Sequence, residues 1–255
     1  MPKVTLISFT GAGHPDPLYA AKLLAFTKNT RLNMNPAMLE TFMNMGEVAL
    51  AAEMRYMATT IPSSWEFADV IFLIEKVSRA TAQQITRTRT ASFAMQSQRV
   101  TDMSEVTWDS REGKVVLNGT NIEATFDDCM RGQVENYTDL VRGGMPLEDA
   151  RDLLPIGVHC NLVAKYNLRG LVELCRARDS LRVQGPFVDV TRQMKAAVLA
   201  VWPWAETFFT PPNSAAIAMI EEVAREIASL SGEKGAMFKG LHGKLAKAAD
   251  LIKKG

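Results

Sequence analysis

The chain has 255 residues, 29 basic against 28 acidic side chains for a formal charge of +1, 47% apolar residues and 22% charged ones. This balance excludes a disordered or collagen-like chain and gives no footing for a polyanionic partner such as nucleic acid. No apolar run approaches the roughly 20 residues of a membrane span, and the opening MPKVTLISFT enters a strand pattern rather than a signal peptide, so a cytoplasmic protein without a membrane partner is expected.

Residues 4–10 (VTLISFT) alternate and are rich in β-branched side chains, which predicts a strand ended by Gly11-Ala12-Gly13. Such a turn resembles a dinucleotide cradle, but Asp16 replaces the third glycine and Pro15 and Pro17 intrude, so an ordinary turn is the reading. A helix follows from Leu18. Residues 36–57 are strong helix formers broken only by Gly46 and predict a long helix or a kinked pair, its many methionines serving as adaptable core. Residues 69–78 (DVIFLIEKVS) read as a buried strand and 79–89 as a helix. Residues 108–121 carry the sign of a hairpin, with Glu112-Gly113 and Asn118-Gly119 as turn candidates. Helix is predicted over 123–141 and 146–153, a strand over 156–165, and helices over 167–179, 187–209 and 214–230. A tail from 233 to 255 with six lysines reads as a solvated helix. The economical architecture is α+β with a helical majority, divided into residues 1–230 as one domain and 231–255 as a Lys-rich helical tail.

Cys129, Cys160 and Cys175 include no C-x-x-C, and His14, His159 and His242 share no ligand spacing. No metal site is expected, and the cysteines read as structural thiols. The segment 76–101 is different, because it holds Lys76, Arg79, Arg87, Arg89 and Arg99 without a carboxylate. A helix over 79–89 would put Gln84 and Arg87 on one face, and Ser92, Gln96, Ser97 and Gln98 add uncharged donors. This pattern fits either a solvated basic face or a surface for a phosphorylated ligand, which guanidinium forks grip in bidentate fashion. A second set follows in Arg151, Arg169, Arg176 and Arg178. On a helix from Asn167, Asn167 and Arg178 face the same way, and Glu173 pairs with Arg169 or Arg176, leaving Arg178 over.

In its arginines and serines the stretch Arg87-Thr88-Arg89-Thr90-Ala91-Ser92-Phe93-Ala94-Met95-Gln96-Ser97-Gln98-Arg99-Val100 resembles the signature of the flavin-dependent thymidylate synthases, Arg-His-Arg-x-x-Ser-x-Asn-x-x-Ser-x-Arg-Tyr. Gln84 stands where that family has a glutamine, Tyr166-Asn167-Leu168-Arg169 through Arg178 resembles its second conserved helix, and Arg151 falls at the spacing of its phosphate-binding arginine. Thr88, Ala94 and Val100 replace the signature histidine, asparagine and tyrosine. Residues 60–67 (TIPSSWEF) stand for an upstream Gly-His-x-Ser-x-x-Glu-His that has lost both histidines. The resemblance spans residues 3–210.

The resemblance implies the family's fold, a mixed sheet with long helices. It implies reductive methylation at C5 of a pyrimidine nucleoside monophosphate, dUMP by default, with FAD, NADPH and methylenetetrahydrofolate. Gln84, Arg87, Ser97, Arg99, Arg151 and Arg178 would hold the nucleotide, and Arg178 would be the catalytic cation that stabilises developing enolate charge. Arg87, Thr88, Arg89, Asn167, Arg169 and Glu173 would hold FAD. A homotetramer with active sites shared between subunits is implied as well. The departures leave UMP or dCMP as other acceptors, or a nucleotide-binding relative without catalysis.

Overall fold

The computed structural model describes residues 1–30, 32–116, 123–178 and 185–210, together with Ile220, Val223 and Leu245. The expected helix over 214–230, the Lys-rich tail and the Asn118-Gly119 turn lie outside the described residues, save for those three positions. Strands β1 (Lys3–Phe9), β2 (Asp69–Ser78), β3 (Ala91–Met95) and β6 (His159–Asn167) form one sheet in the order β1-β2-β6-β3, and β4 (Lys114–Val116) pairs with β5 (Glu123–Thr125) in a second. The larger sheet is antiparallel, not mixed as the resemblance implied. Thr10 N–H reaches Asp69 O at 2.9 Å, Leu168 N–H reaches Ala68 O at 2.7 Å and Gln96 N–H reaches Asn161 O at 2.9 Å, so the end of each strand meets the start of its neighbour. The helical majority stands. Among the described residues no helix is long and apolar enough to cross a membrane.

The chain divides into two compact units, Met1–Thr5 with Phe72–Ala164, and Leu6–Ile71 with Lys165–Gly255. In the first, β2 buries alternate residues until Lys76, whose φ of 55° breaks the alternation so that Val77 and Ser78 both turn inward. The Lys76 N–H is taken up by Asn161 Oδ1 at 3.0 Å. Ser78 then caps α4 (Arg79–Ile85), its hydroxyl accepting from Thr81 N–H at 3.1 Å. The helix stops at Ile85, four residues short of expectation, where three threonines alternate with Arg87 and Arg89 and disfavour another turn. Strand β3 was not anticipated. Gln96 pins its end, Oε1 accepting from Asn161 N–H at 3.1 Å.

The expected hairpin is displaced. Lys114 pairs with Thr125, whereas Trp108 bridges Val158. Thus residues 123–125 are strand, and α5 (Phe126–Arg142) starts behind a capping box in which the Thr125 and Asp128 side chains each bond the other's backbone N–H. Tyr137 of α5 is fully buried, and its hydroxyl accepts from Met103 N–H at 3.1 Å. Helix α6 (Leu147–Ala150) leads into a 3-10 turn at Arg151–Leu153.

In the second unit α1 (Tyr19–Lys28) is the helix expected from Leu18, and α2 (Pro36–Met43) and α3 (Glu47–Thr60) realise the kinked-pair alternative, with Gly46 at the break. Met54 and Met57 are core, as expected of an adaptable side chain. Helices α7 (Leu168–Arg178) and α8 (Pro186–Val201) follow. The helix expected over 187–209 breaks at Trp202, because Pro203 disfavours helical φ/ψ in the residue before it; a 3-10 turn and α9 (Glu206–Phe209) complete the span. Trp65 and Phe208 pack edge to face at 4.9 Å in this core.

Candidate functional site

The first unit carries Gln84, Arg87, Thr88, Arg89, Ser97, Arg99 and Arg151. Gln84 lies in the last turn of α4 and Arg87 beyond it, so one helix face does not join them; a turn does, with Arg87 N–H directed at Gln84 O at 3.4 Å. Both side chains and that of Arg89 are exposed, Thr88 is half-buried, and no carboxylate pairs with either arginine among the described residues. Arg79, by contrast, is consumed structurally, with Nη1 donating to Gln96 O at 3.1 Å.

Ser97 and Arg99 are brought together, since Ser97 Oγ accepts from Arg99 N–H at 3.2 Å. Arg99 in turn reaches α6, where Nε donates to Glu148 Oε2 at 2.6 Å. That contact occupies one edge of the guanidinium and leaves the terminal nitrogens for a ligand. Arg151, half-buried, is three residues along the same turn from Glu148 and has no carboxylate partner among the described residues. Gln84 and Arg87 make no hydrogen bond to this Ser97–Arg99–Arg151 group. The nearby thiol of Cys160 is pushed up in pKa by burial, which keeps it protonated and unreactive. Cys175 is also buried, whereas Cys129 is exposed.

The second unit carries Asn167, Arg169, Glu173 and Arg178. Asn167 is the last residue of β6 rather than the first of a helix, so the shared helix face expected with Arg178 does not exist. Instead its Oδ1 accepts from Gly170 N–H at 2.8 Å, which caps α7 and fixes the amide with both N–H donors unclaimed among the described residues. Arg169 is held twice, by Glu173 at 2.9 Å and by Glu66 at 2.8 Å, and these bonds push its pKa further up. Glu173 therefore chooses Arg169 and leaves Arg176, whose Nη2 donates to Phe208 O at 2.8 Å and whose pKa burial pulls down.

Arg178 is left over, as the spacing predicted. Its guanidinium carbon lies 4.3 Å from the centre of the Phe187 ring, and its buried Nε has no hydrogen-bond partner. An unsatisfied buried donor costs about 1–3 kcal/mol, so such a group in a native structure calls for an explanation. In the same unit a cleft of about 1030 Å³ is lined by Phe26, Lys28, Tyr56, Thr60, Ser63 and Phe67. Its wall includes residues of the TIPSSWEF segment, and its size suits a cofactor.

Sequence reasoning missed Glu66, Glu148 and Phe187. The first stood inside a quoted motif and the second three residues before Arg151, so carboxylates flanking candidate cations were the available signal. Phe187 gave none beyond its aromatic ring.

The model of the thymidylate synthase complementing protein family matches residues 20–204. A flavin-dependent thymidylate synthase of Haloarcula marismortui is 32% identical over 154 residues, 51% of this chain and 62% of the relative. That of Halobacterium salinarum is 33% identical over 54% of this chain and 65% of its own length, so the chain spans less than two thirds of these relatives. That of Nitratidesulfovibrio vulgaris is 29% identical over 72% of this chain and 76% of its length. Two solved structures share the fold at a TM-score of 0.58 over 82% of this chain: a UMP/dUMP methylase, PolB of Streptomyces cacaoi, bound with 5-Br dUMP, at 19% identity and 94% of its length, and thymidylate synthase X of Helicobacter pylori with FAD and dUMP, at 18% and 99%. With the family model matched over most of its length, the chain belongs to the thymidylate synthase complementing protein family, that of the flavin-dependent thymidylate synthases.

Proposed function

We propose that this protein is a methyltransferase that carries out flavin-dependent reductive methylation at C5 of a pyrimidine nucleoside monophosphate, converting dUMP to dTMP. Residues 1–230 act as the catalytic domain of a homotetramer with shared active sites. The observation that carries this reading is the set of arginines at the family's spacings that have no carboxylate partner among the described residues: Arg87, Arg89, Arg151 and Arg178.

Gln84, Arg87, Ser97, Arg99 and Arg151 bind the nucleotide, chiefly its phosphate, where each charge-assisted bond contributes roughly 1.5–3 kcal/mol. Arg178 sets its cation against a pyrimidine carbonyl and stabilises the charge that makes C5 nucleophilic. The burial of Cys160 and Cys175 and the raised Cys160 pKa agree with a route that needs no cysteine nucleophile. The side chains also fit FAD: Arg87 and Arg89 offer uncancelled charge for a pyrophosphate, Thr88, the Asn167 amide and Arg169 can donate hydrogen bonds to neutral polar edges, and the Glu173 carboxylate can accept them. When bound, FAD supplies the hydride, with NADPH as reductant and methylenetetrahydrofolate as carbon donor.

A second acceptor, UMP or dCMP, is favoured by Thr88, Ala94 and Val100, which remove a histidine, an asparagine and a tyrosine from the signature. The test is product analysis with FAD-loaded protein and dUMP, UMP and dCMP in parallel. A methylated product from dUMP alone supports the primary reading and one from UMP or dCMP the second. No product, together with failure to take up FAD, leaves a nucleotide-binding relative without catalysis.

A further inference from the structure

Each other arginine of α7 is held by an oxygen acceptor, Arg169 by Glu66 and Glu173 and Arg176 by the Phe208 carbonyl. Arg178 alone rests on an aromatic face, 4.3 Å from the Phe187 ring centre. The difference is chemical. A carboxylate would cancel the charge and consume donors, whereas a ring beneath the guanidinium plane restricts rotation and leaves the in-plane N–H groups and the charge available.

Phe187 is itself fixed. It is 3% exposed, in the first turn of α8, behind Gly185 at φ +100°, where a side chain is strained, and Pro186 at a helix start. The Nε of Arg178 is buried without a hydrogen-bond partner, as is that of Arg176, so what sets Arg178 apart on α7 is its aromatic neighbour and not the orphaned donor.

We propose that Phe187 is a positioning residue, whose ring is the platform that orients Arg178 toward the pyrimidine carbonyl. The inference rests on the role given to Arg178 above. Misplacing a reacting group by about 1 Å can cost on the order of a hundredfold in rate, so the platform should show in turnover more than in affinity.

The test compares Phe187→Met, which keeps volume without a ring, with Phe187→Tyr, which keeps the ring. Both are made in FAD-loaded protein with Arg178→Ala alongside, and kcat, the dUMP dissociation constant by calorimetry and the melting temperature are measured for each. We expect Phe187→Met to lower kcat by about tenfold or more with dUMP affinity within about threefold, and Phe187→Tyr to keep kcat within about threefold of the parent. Parent-like turnover in Phe187→Met beside an inactive Arg178→Ala overturns the platform alone. A Tyr variant as slow as the Met variant, with melting temperatures lowered in both, makes Phe187 a packing residue and overturns it too. Parent-like turnover in Arg178→Ala removes the role of Arg178 itself.

Discussion

Replacing Arg99 by alanine separates binding from stability with one substitution. In the structure Arg99 makes one ionic contact, to Glu148, and both side chains are largely solvated, at 65% and 47% exposure. Exposed pairs contribute about 0–1 kcal/mol, so Arg99→Ala should shift the melting temperature by no more than about 1–3 °C in a chain of this size. For a bound phosphate the terminal nitrogens supply charge-assisted bonds, of which losing one costs roughly 1.5–3 kcal/mol. At about 1.36 kcal/mol per decade, the dUMP dissociation constant should rise about 10- to 150-fold. Calorimetric titration with dUMP reads the first effect and a thermal melt the second. Glu148→Gln supplies the control, because its amide oxygen still accepts from Nε while a negative charge beside the phosphate is gone; affinity should hold or tighten. An unaltered dissociation constant in Arg99→Ala would remove this residue from the phosphate site and refute the reasoning.

Arg178→Ala should abolish methyl transfer while dUMP binding stays measurable by calorimetry, and unchanged turnover would sink the catalytic assignment. Thr125→Ala breaks the capping box of α5 and should cost about 1 kcal/mol in denaturant unfolding with an unchanged slope; a loss under a few tenths would mean that the cap contributes little. The hydrogen bond from Lys22, then that from the Leu18 N–H, hold the Asp16 carboxyl below its usual range. A depressed folded pKa gives stability that is complete above the ordinary value near 3.8 and lost as pH falls through the folded value. Asp16→Asn should therefore destabilise at neutral pH and flatten the acid limb below about pH 4, and an acid limb identical to the parent's would contradict this.

Strand β2 was legible to the residue because Val70, Phe72 and Ile74 point into the core and the run is flanked by breakers. Strand β3 was not, since Ala91–Met95 is short, half-exposed and continuous with a cationic segment that reads as a polar turn. The break at Trp202 was written in Pro203, but apolar residues at helical spacing continue on either side of it and mask the stop. In the candidate site, Arg169 with Glu173 was recoverable because i and i+4 meet on any helix. Glu66 lies 103 residues from Arg169 and Glu148 lies 49 from Arg99, and no local rule joins residues so far apart. The expected facing of Asn167 and Arg178 failed for a related reason, since Asn167 closes a strand and spends its carbonyl on a helix cap.

The net charge of +1 conceals how differently the arginines are held, and the holding decides which chemistry each can supply. Arg79 and Arg176 donate to backbone carbonyls, so they stitch elements together at the expense of donors. Arg99 and Arg169 face carboxylates, and the part of their field that is cancelled is unavailable to a ligand unless the carboxylate lies on the far edge, as the Nε contact of Arg99 allows. Arg178 sits on a ring, and Arg87, Arg89 and Arg151 have no acidic partner among the described residues. Stabilising charge that develops on a pyrimidine requires a cation with both its field and its donors intact, already oriented before the reaction begins. Of the arginines on α7, only Arg178 meets all three requirements, because an aromatic face can orient a guanidinium without neutralising it.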